Sequence, residues 1–239
     1  MKLNRRATLA LIGSGAILPG VAIAATKPVA ASFVHGVASG DPTPRGAILW
    51  TRVTPADSAH GADIALRWHV AETADGKPVE SGMADARSAR DFTVKVEPRG
   101  LQSGRDYFYW FELADGTRSP TGRFRTLPTG KIADAVLAVV TCQLYTGGYF
   151  TAYDSIAGLE RLDAVVHLGD YIYEYGNEGY GGQIGQKIGR AVEPPHEIIT
   201  LADYRIRHAH YKRDPSLQAA HARAAFICVW DDHETANDS

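Results

Sequence analysis

Between residues 33 and 127 the apolar positions recur at every second residue. Ile64, Leu66, Trp68 and Val70 interleave with Arg67 and His69, and Phe92, Val94 and Val96 interleave with Thr93, Lys95 and Glu97. Tyr107, Tyr109, Phe111 and Leu113 form a third run of this kind. Period two places one set of side chains on one face of a strand, so these runs predict half-buried β-strands. Asp75-Gly76 and Asp115-Gly116 supply turn chemistry between them. Several short strands at this spacing predict an antiparallel, fibronectin type III-like β-sandwich over residues 32–128.

The pattern changes after a short Thr129-Gly130-Lys131 linker. Val136–Val140, Ala164–Leu168 and Phe226–Trp230 are continuous apolar runs, which predict strands of a parallel sheet buried on both faces. Phe150, Tyr153, Ile156 and Ala157 have helical spacing, Thr200 with Asp203 resembles a capping box, and Asp214-Pro215 starts another helix. The glycine-rich stretch 176–189 predicts a long loop. Strand–helix alternation of this kind predicts an α/β layered domain over residues 129–239.

Composition narrows the class. The 239 residues are 45% hydrophobic and 22% charged, as in a folded globular protein. With 25 basic and 27 acidic residues the net charge is -2, so no basic surplus advertises a nucleic acid or a membrane surface as partner. Two cysteines, Cys142 and Cys228, exclude a disulfide-dense scaffold. Lys2, Arg5 and Arg6 precede an uncharged stretch from Ala7 to Ala25, and Ala22-Ile23-Ala24 offers small residues for cleavage. Residues 1–31 therefore read as a secretory signal peptide. The Arg5-Arg6 pair resembles a twin-arginine signal, which predicts recognition by that export machinery and a secreted or periplasmic location. Ser239 lies five residues beyond Glu234, and this position suggests a truncated α/β domain that is inactive or barely stable.

Candidate chemistry sits where the apolar runs end. His167-Leu168-Gly169-Asp170-Tyr171-Ile172-Tyr173-Glu174 closes one run and Trp230-Asp231-Asp232-His233-Glu234 closes another. Open α/β sheets carry their chemistry in loops past the carboxyl ends of strands. Carboxylates, a phenol and a histidine together suit a hard multivalent cation. Each residue also has a plain reading: a turn aspartate for Asp170, packing for Tyr173, and a solvated acidic loop for Asp231-Asp232. Cys142 reads as a ligand, as a buried thiol, or as half of a disulfide with Cys228, whose own role reads as strand packing. His208 and His210 stand about 200° apart on a helix and do not chelate together, and His167 reads as strand packing. No serine lies in a Gly-x-Ser-x-Gly elbow, so the nucleophile expected is water.

Five segments in order carry a family resemblance: Phe33 to Pro42 with Leu49-Trp50-Thr51-Arg52, Thr141-Cys142-Gln143, His167 to Glu174, Leu201 to Arg205, and Trp230 to Glu234. Together they resemble the PhoD-like alkaline phosphatases, secreted phosphomonoesterases and phosphodiesterases built from a fibronectin-like sandwich and a metallophosphoesterase domain. The resemblance implies dependence on ferric iron (Fe3+) and calcium (Ca2+). It implies Cys142, Asp170, Tyr173 and Asp232 as metal ligands, with Asp170 bridging. It implies His233 as the residue that contacts phosphate or protonates the leaving alkoxide, and Asp231 as an orienting neighbour. The substrate implied is a small phosphate mono- or diester. Neighbouring readings are a purple-acid-phosphatase-like or phospholipase D-type hydrolase, and a chain that serves only as an extracytoplasmic β-sandwich module. Purple acid phosphatases place an aspartate where this chain has Cys142, which favours the PhoD-like assignment.

Overall fold

A computed structural model describes residues 29–239 of the chain. The signal-peptide expectation, with Arg5 and Arg6, falls almost wholly outside the described residues. Strands β1 (Ala31–Ser32), β2 (Val37–Thr43), β3 (Gly46–Arg52), β4 (Thr54–Pro55) and β5 (Ile64–Ala71) open the fold. They are followed by β6 (Pro78–Ala86), β7 (Thr93–Val96), β8 (Asp106–Leu113) and β9 (Gly122–Arg125). Four of these form an antiparallel sheet in the order β6-β5-β8-β9. Its register sets Leu66 opposite Leu113 and Trp68 opposite Phe111, so the alternation read in sequence becomes one buried face. Strands β2, β3 and β7 pack over that face, around Leu49, Leu66, Tyr107, Tyr109, Phe111 and Phe124. Each such side chain contributes about 1.5–3 kcal/mol by leaving water. The Tyr107 hydroxyl reaches back to accept the Gln102 N–H at 2.9 Å, tying the turn before β8 to the strand.

The second half supplies β10 (Leu137–Val140), α1 (Thr151–Ala157), β11 (Ala164–His167), α2 (Gly182–Lys187), α3 (Leu201–Tyr211), α4 (Pro215–Arg223) and β12 (Ala225–Cys228). Strands β10, β11 and β12 are parallel, as their apolar runs predict. β12 also bridges β2 at Phe226 and Gly40, so a single six-stranded sheet runs β10-β11-β12-β2-β3-β7. Gly40 permits this junction because a Cβ there would stand 3.0 Å from the Phe226 carbonyl oxygen.

Burial of the parallel strands on both faces is not what the structure has. Val165 and Phe226 pack on one face with Phe150, Tyr153, Leu217 and Ala220 of the helical layer. On the opposite face the aligned Val139 and Ile227 are 61% and 40% exposed, since α1 and α4 both cover the first face. The predicted 176–189 loop also departs, because it contains α2. Its glycines serve close approach: a Cβ at Gly182 would meet the Asn177 carbonyl oxygen at 2.0 Å. The predicted caps are present. Thr200 and Asp203 bond reciprocally at the start of α3, and the Asp214 carboxylate accepts the Leu217 N–H at the start of α4. Among the described residues no helix is long and apolar enough to cross a membrane.

Candidate metal centre

The ends of β10, β11 and β12 converge at the carboxyl edge of the parallel strands and carry Cys142, Asp170 and the Asp232-His233 pair. Backbone geometry aims the first two. Cys142 at φ 57°, Gly169 at φ 99° and Asp170 at φ 55° all sit in the left-handed region, which turns each chain sharply out of its strand. Two bonds lace these turns together, from Cys142 N–H to the Gly169 carbonyl at 3.3 Å and from Gln143 N–H to the Asp170 carbonyl at 3.1 Å. Gly169 has no room for a side chain, since a Cβ would lie 2.5 Å from Asp231 Cβ. That contact brings the β11 and β12 loops side by side.

Donor atoms of Asp170, Asp232 and His233 lie within 4.8 Å of one another. Asp170 is 6% exposed; its Oδ2 accepts the Tyr173 hydroxyl at 3.0 Å, while its Oδ1 has no partner. A buried carboxylate oxygen left unpaired is costly, and a cation is the partner that this donor set fits. Tyr173 has its phenol pKa pushed far up, first by burial, then by the Asp170 hydrogen bond and the adjacent Cys142. A strongly acidic cation would be needed to turn that phenol into a phenolate ligand. Asp232 accepts the Asp238 N–H on Oδ2 and the His233 N–H on Oδ1, and the Asp238 bond leads in holding its carboxyl below the usual range. The five residues expected at the site thus converge on one region.

Three further residues organise it, none of them a candidate on sequence grounds. Glu174, 3% exposed, accepts the His233 Nδ1 proton at 2.9 Å and the Asn237 N–H at 2.8 Å. A carboxylate only accepts here, so Nδ1 carries the hydrogen and Nε2 is left for a ligand or substrate. The Glu234 carboxylate accepts four backbone amides, those of Asp170 (3.1 Å), Tyr171, Ile172 (3.3 Å) and Asp231 (2.7 Å). Arg207, fully buried, donates to the carbonyls of Tyr173, Glu193 and Pro194, fixing the segment that presents Tyr173. The only advance signal was that Glu174 and Glu234 stand at the ends of their motifs.

The other expectations resolve simply. Cys142 and Cys228 are both free and exposed, which removes the disulfide reading and corrects the packing role expected for Cys228. His167 is fully buried within β11, as expected. His208 is exposed on α3 while His210 is buried, in keeping with their opposed directions.

Two family models cover nearly all of this architecture. Residues 20–128 match the N-terminal domain of the PhoD-like phosphatases, and residues 137–238 match the PhoD-like phosphatase model itself. The chain belongs to the PhoD-like phosphatase family. It is 40% identical over 214 residues to alkaline phosphatase D of Bacillus subtilis (strain 168), covering 86% of this chain and 36% of that protein. It therefore spans about a third of the length of that curated relative. A solved structure of PhoD superimposes with a TM-score of 0.79 at 39% identity, over 87% of this chain and 40% of that one. A human fibronectin type III domain matches 46% of this chain at a TM-score of 0.30 and 16% identity, too low to carry an argument about fold. Cys142, Asp170, Tyr173, Asp232 and His233 all fall inside the PhoD-like phosphatase match.

Proposed function

We propose that the chain is a metal-dependent phosphoester hydrolase of the alkaline phosphatase or phosphodiesterase type, acting on small phosphate mono- or diesters. The observation that carries this reading is the unpaired, buried Oδ1 of Asp170, on a carboxylate grouped with Asp232 and His233 within 4.8 Å. Cys142, Asp170 and Tyr173 would hold ferric iron, because thiolate and phenolate both suit a strongly acidic cation. Asp170 and Asp232 would hold calcium, a hard cation that takes oxygen donors. When bound, such cations neutralise phosphoryl oxygens and lower the pKa of coordinated water to about 7.

The chain's own groups do the remaining work. His233, anchored through Nδ1 on Glu174, presents Nε2 to protonate the departing alkoxide, and the Glu174 carboxylate stabilises the imidazolium needed for that transfer. Glu234 keeps the loops of Asp170 and Asp231-Asp232 at fixed separation, and Arg207 keeps Tyr173 in place. The first sheet pair is assigned as a fibronectin-like sandwich, supported by the Tyr107 to Gln102 corner. Residues 129–239 are assigned to a metallophosphoesterase domain, supported by its parallel strands and their loop chemistry. Export through the twin-arginine route is supported by Arg5-Arg6 ahead of the uncharged stretch.

The test pairs elemental analysis of the purified chain with hydrolysis of para-nitrophenyl phosphate and its bis ester. Iron bound in stoichiometric amount with calcium-dependent turnover is expected, both lost in Asp170→Asn. A folded chain with neither metal nor turnover would count against the reading.

A further inference from the structure

A cavity of about 720 Å3 lies between α3 and the strands β2, β3 and β7, and Asp170, Asp232 and His233 are not in its lining. It falls in the 300–1,000 Å3 range of small-molecule pockets. Trp50 and Tyr204 give it flat apolar walls, and Lys212 is part of its lining. Arg52, Arg90, Lys95 and Arg205 are further cations in the lining, against one carboxylate, Asp91. Asp91 is not free to answer them, because Arg52 holds both its oxygens at 2.7 and 2.9 Å. A second cavity of about 540 Å3 shares Tyr204, His208 and Lys212 with the first and continues to Glu234.

Lys212 is the group that points to a ligand. The residue is half-buried, and its ammonium has three N–H donors. It meets one acceptor, His221 Nε2 at 2.9 Å, and packs over the Trp50 and Tyr171 rings at 5.0 and 5.1 Å. The same Nε2 also stands 2.7 Å from the Tyr171 hydroxyl. One imidazole nitrogen has one lone pair, so the two donors compete for it. Among the described residues no carboxylate pairs with Lys212. Burial accordingly pulls its pKa down to about 7. A cation with no anionic partner and one contested acceptor, in the lining of a cationic pocket with aromatic walls, is matched by an anion attached to an apolar body.

We propose that this cavity is a second ligand site, taking the phosphate-type oxyanion of a small aromatic or apolar molecule, with Lys212 contacting the anion and Trp50 and Tyr204 flanking the organic body. Nothing in this site uses Asp170, Asp232 or His233, so it stands whether or not the metal centre is active.

The experiment is calorimetric titration of the chelator-treated chain with phenylphosphonate, which is not hydrolysed, and separately with inorganic phosphate. One phenylphosphonate per chain is expected, at least tenfold tighter than phosphate. Lys212→Met is expected to weaken it at least tenfold, and Asp170→Asn to leave it within twofold. Thermal melting keeps the variant interpretable. Phenylphosphonate raises the melting temperature of the parent chain but not of Lys212→Met, whose ligand-free melting temperature is equal or higher because an unpaired cation has been removed. Absence of phenylphosphonate binding, an unchanged affinity in Lys212→Met, or loss of binding in Asp170→Asn overturns the proposal. Equal affinity for inorganic phosphate overturns the assignment of an organic ligand and makes the cavity a site for free phosphate.

Discussion

Replacing Glu234 by alanine removes one carboxylate that four backbone amides share. The amide of Asp231 lies on an exposed residue, so water takes over its bond at small cost. Those of Asp170, Tyr171 and Ile172 belong to residues 6%, 9% and 0% exposed, and they have no other acceptor within the turn. A hydrogen bond to a charged acceptor is worth about 1.5–3 kcal/mol. Three bonds that share one carboxylate are not additive, and the Ile172 bond at 3.3 Å is weak. A total near 3 kcal/mol follows, which lowers the melting temperature of a chain this size by about 6–12 °C. Glu234→Gln keeps one oxygen as acceptor but turns an NH2 toward two of the amides, so about half the loss is expected. Circular dichroism melts of the chelator-treated protein read the stability, and elemental analysis after reloading reads the metal. The Ala variant should lose stability and bind less metal, because the Asp170 turn is no longer held. An Ala variant melting within about 2 °C of the parent, with metal binding intact, would refute the role given to this carboxylate.

Gly169→Ala forces a Cβ to within 2.5 Å of Asp231 at φ 99°, so the β11 and β12 loops must separate; a lower melting temperature and weakened metal binding are expected, and a neutral substitution argues against the close approach. Glu174→Gln takes the charge from the partner of His233 Nδ1, and a fall of about 10–100-fold in kcat with KM little changed is expected from steady-state kinetics. An equal fall in the doubly substituted Glu174→Gln, His233→Ala chain relative to His233→Ala alone would show that Glu174 acts elsewhere. Burial pulls the pKa of both His35 and His167 down to about 4. The native state keeps these imidazoles neutral while the unfolded chain protonates them below about pH 6.5, so the stability present above that pH is lost as pH falls toward 4. Each contributes a slope of about 1 kcal/mol per pH unit in that window. Melting temperature recorded from pH 7 to 4.5 should fall steadily, and a flat profile refutes the burial of neutral imidazole.

What the sequence made legible was local. The alternation in β5 and β8 announces one buried face, because period two is the strand's own geometry. The Thr200 and Asp203 box and the Asp214-Pro215 start are each written within four residues, and the structure contains both. The parallel strands were also legible, but not their exposure. Whether Val139 and Ile227 are covered depends on where α1 and α4 land, and an apolar run reads alike in either case. The junction of β12 with β2 at Phe226 and Gly40 joins segments 186 positions apart, and no periodicity in either announces it.

The acidic residues of the site show the same limit more sharply. In sequence Asp170, Asp232, Glu174 and Glu234 are four carboxylates at the ends of apolar runs, equally suited to a cation. What separates them is first the occupancy of their lone pairs, about four sites on each carboxylate. Glu234 has all of these engaged by amides, two on each oxygen, and so works as a clamp with nothing left to offer a metal. Glu174 and Asp232 each carry one bond per oxygen, and place separates those two: Glu174 is turned to His233 Nδ1 and the Asn237 amide, while Asp232 has a donor atom within 4.8 Å of Asp170. Asp232 has accepted one amide on each oxygen and retains the rest. Asp170 has accepted only the Tyr173 hydroxyl on Oδ2 and keeps Oδ1 bare. Ligation by Asp170 and Asp232, orientation by Glu174 and closure by Glu234 follow from occupancy and place together, which depend on which loop each carboxylate meets and are invisible in the order of the letters.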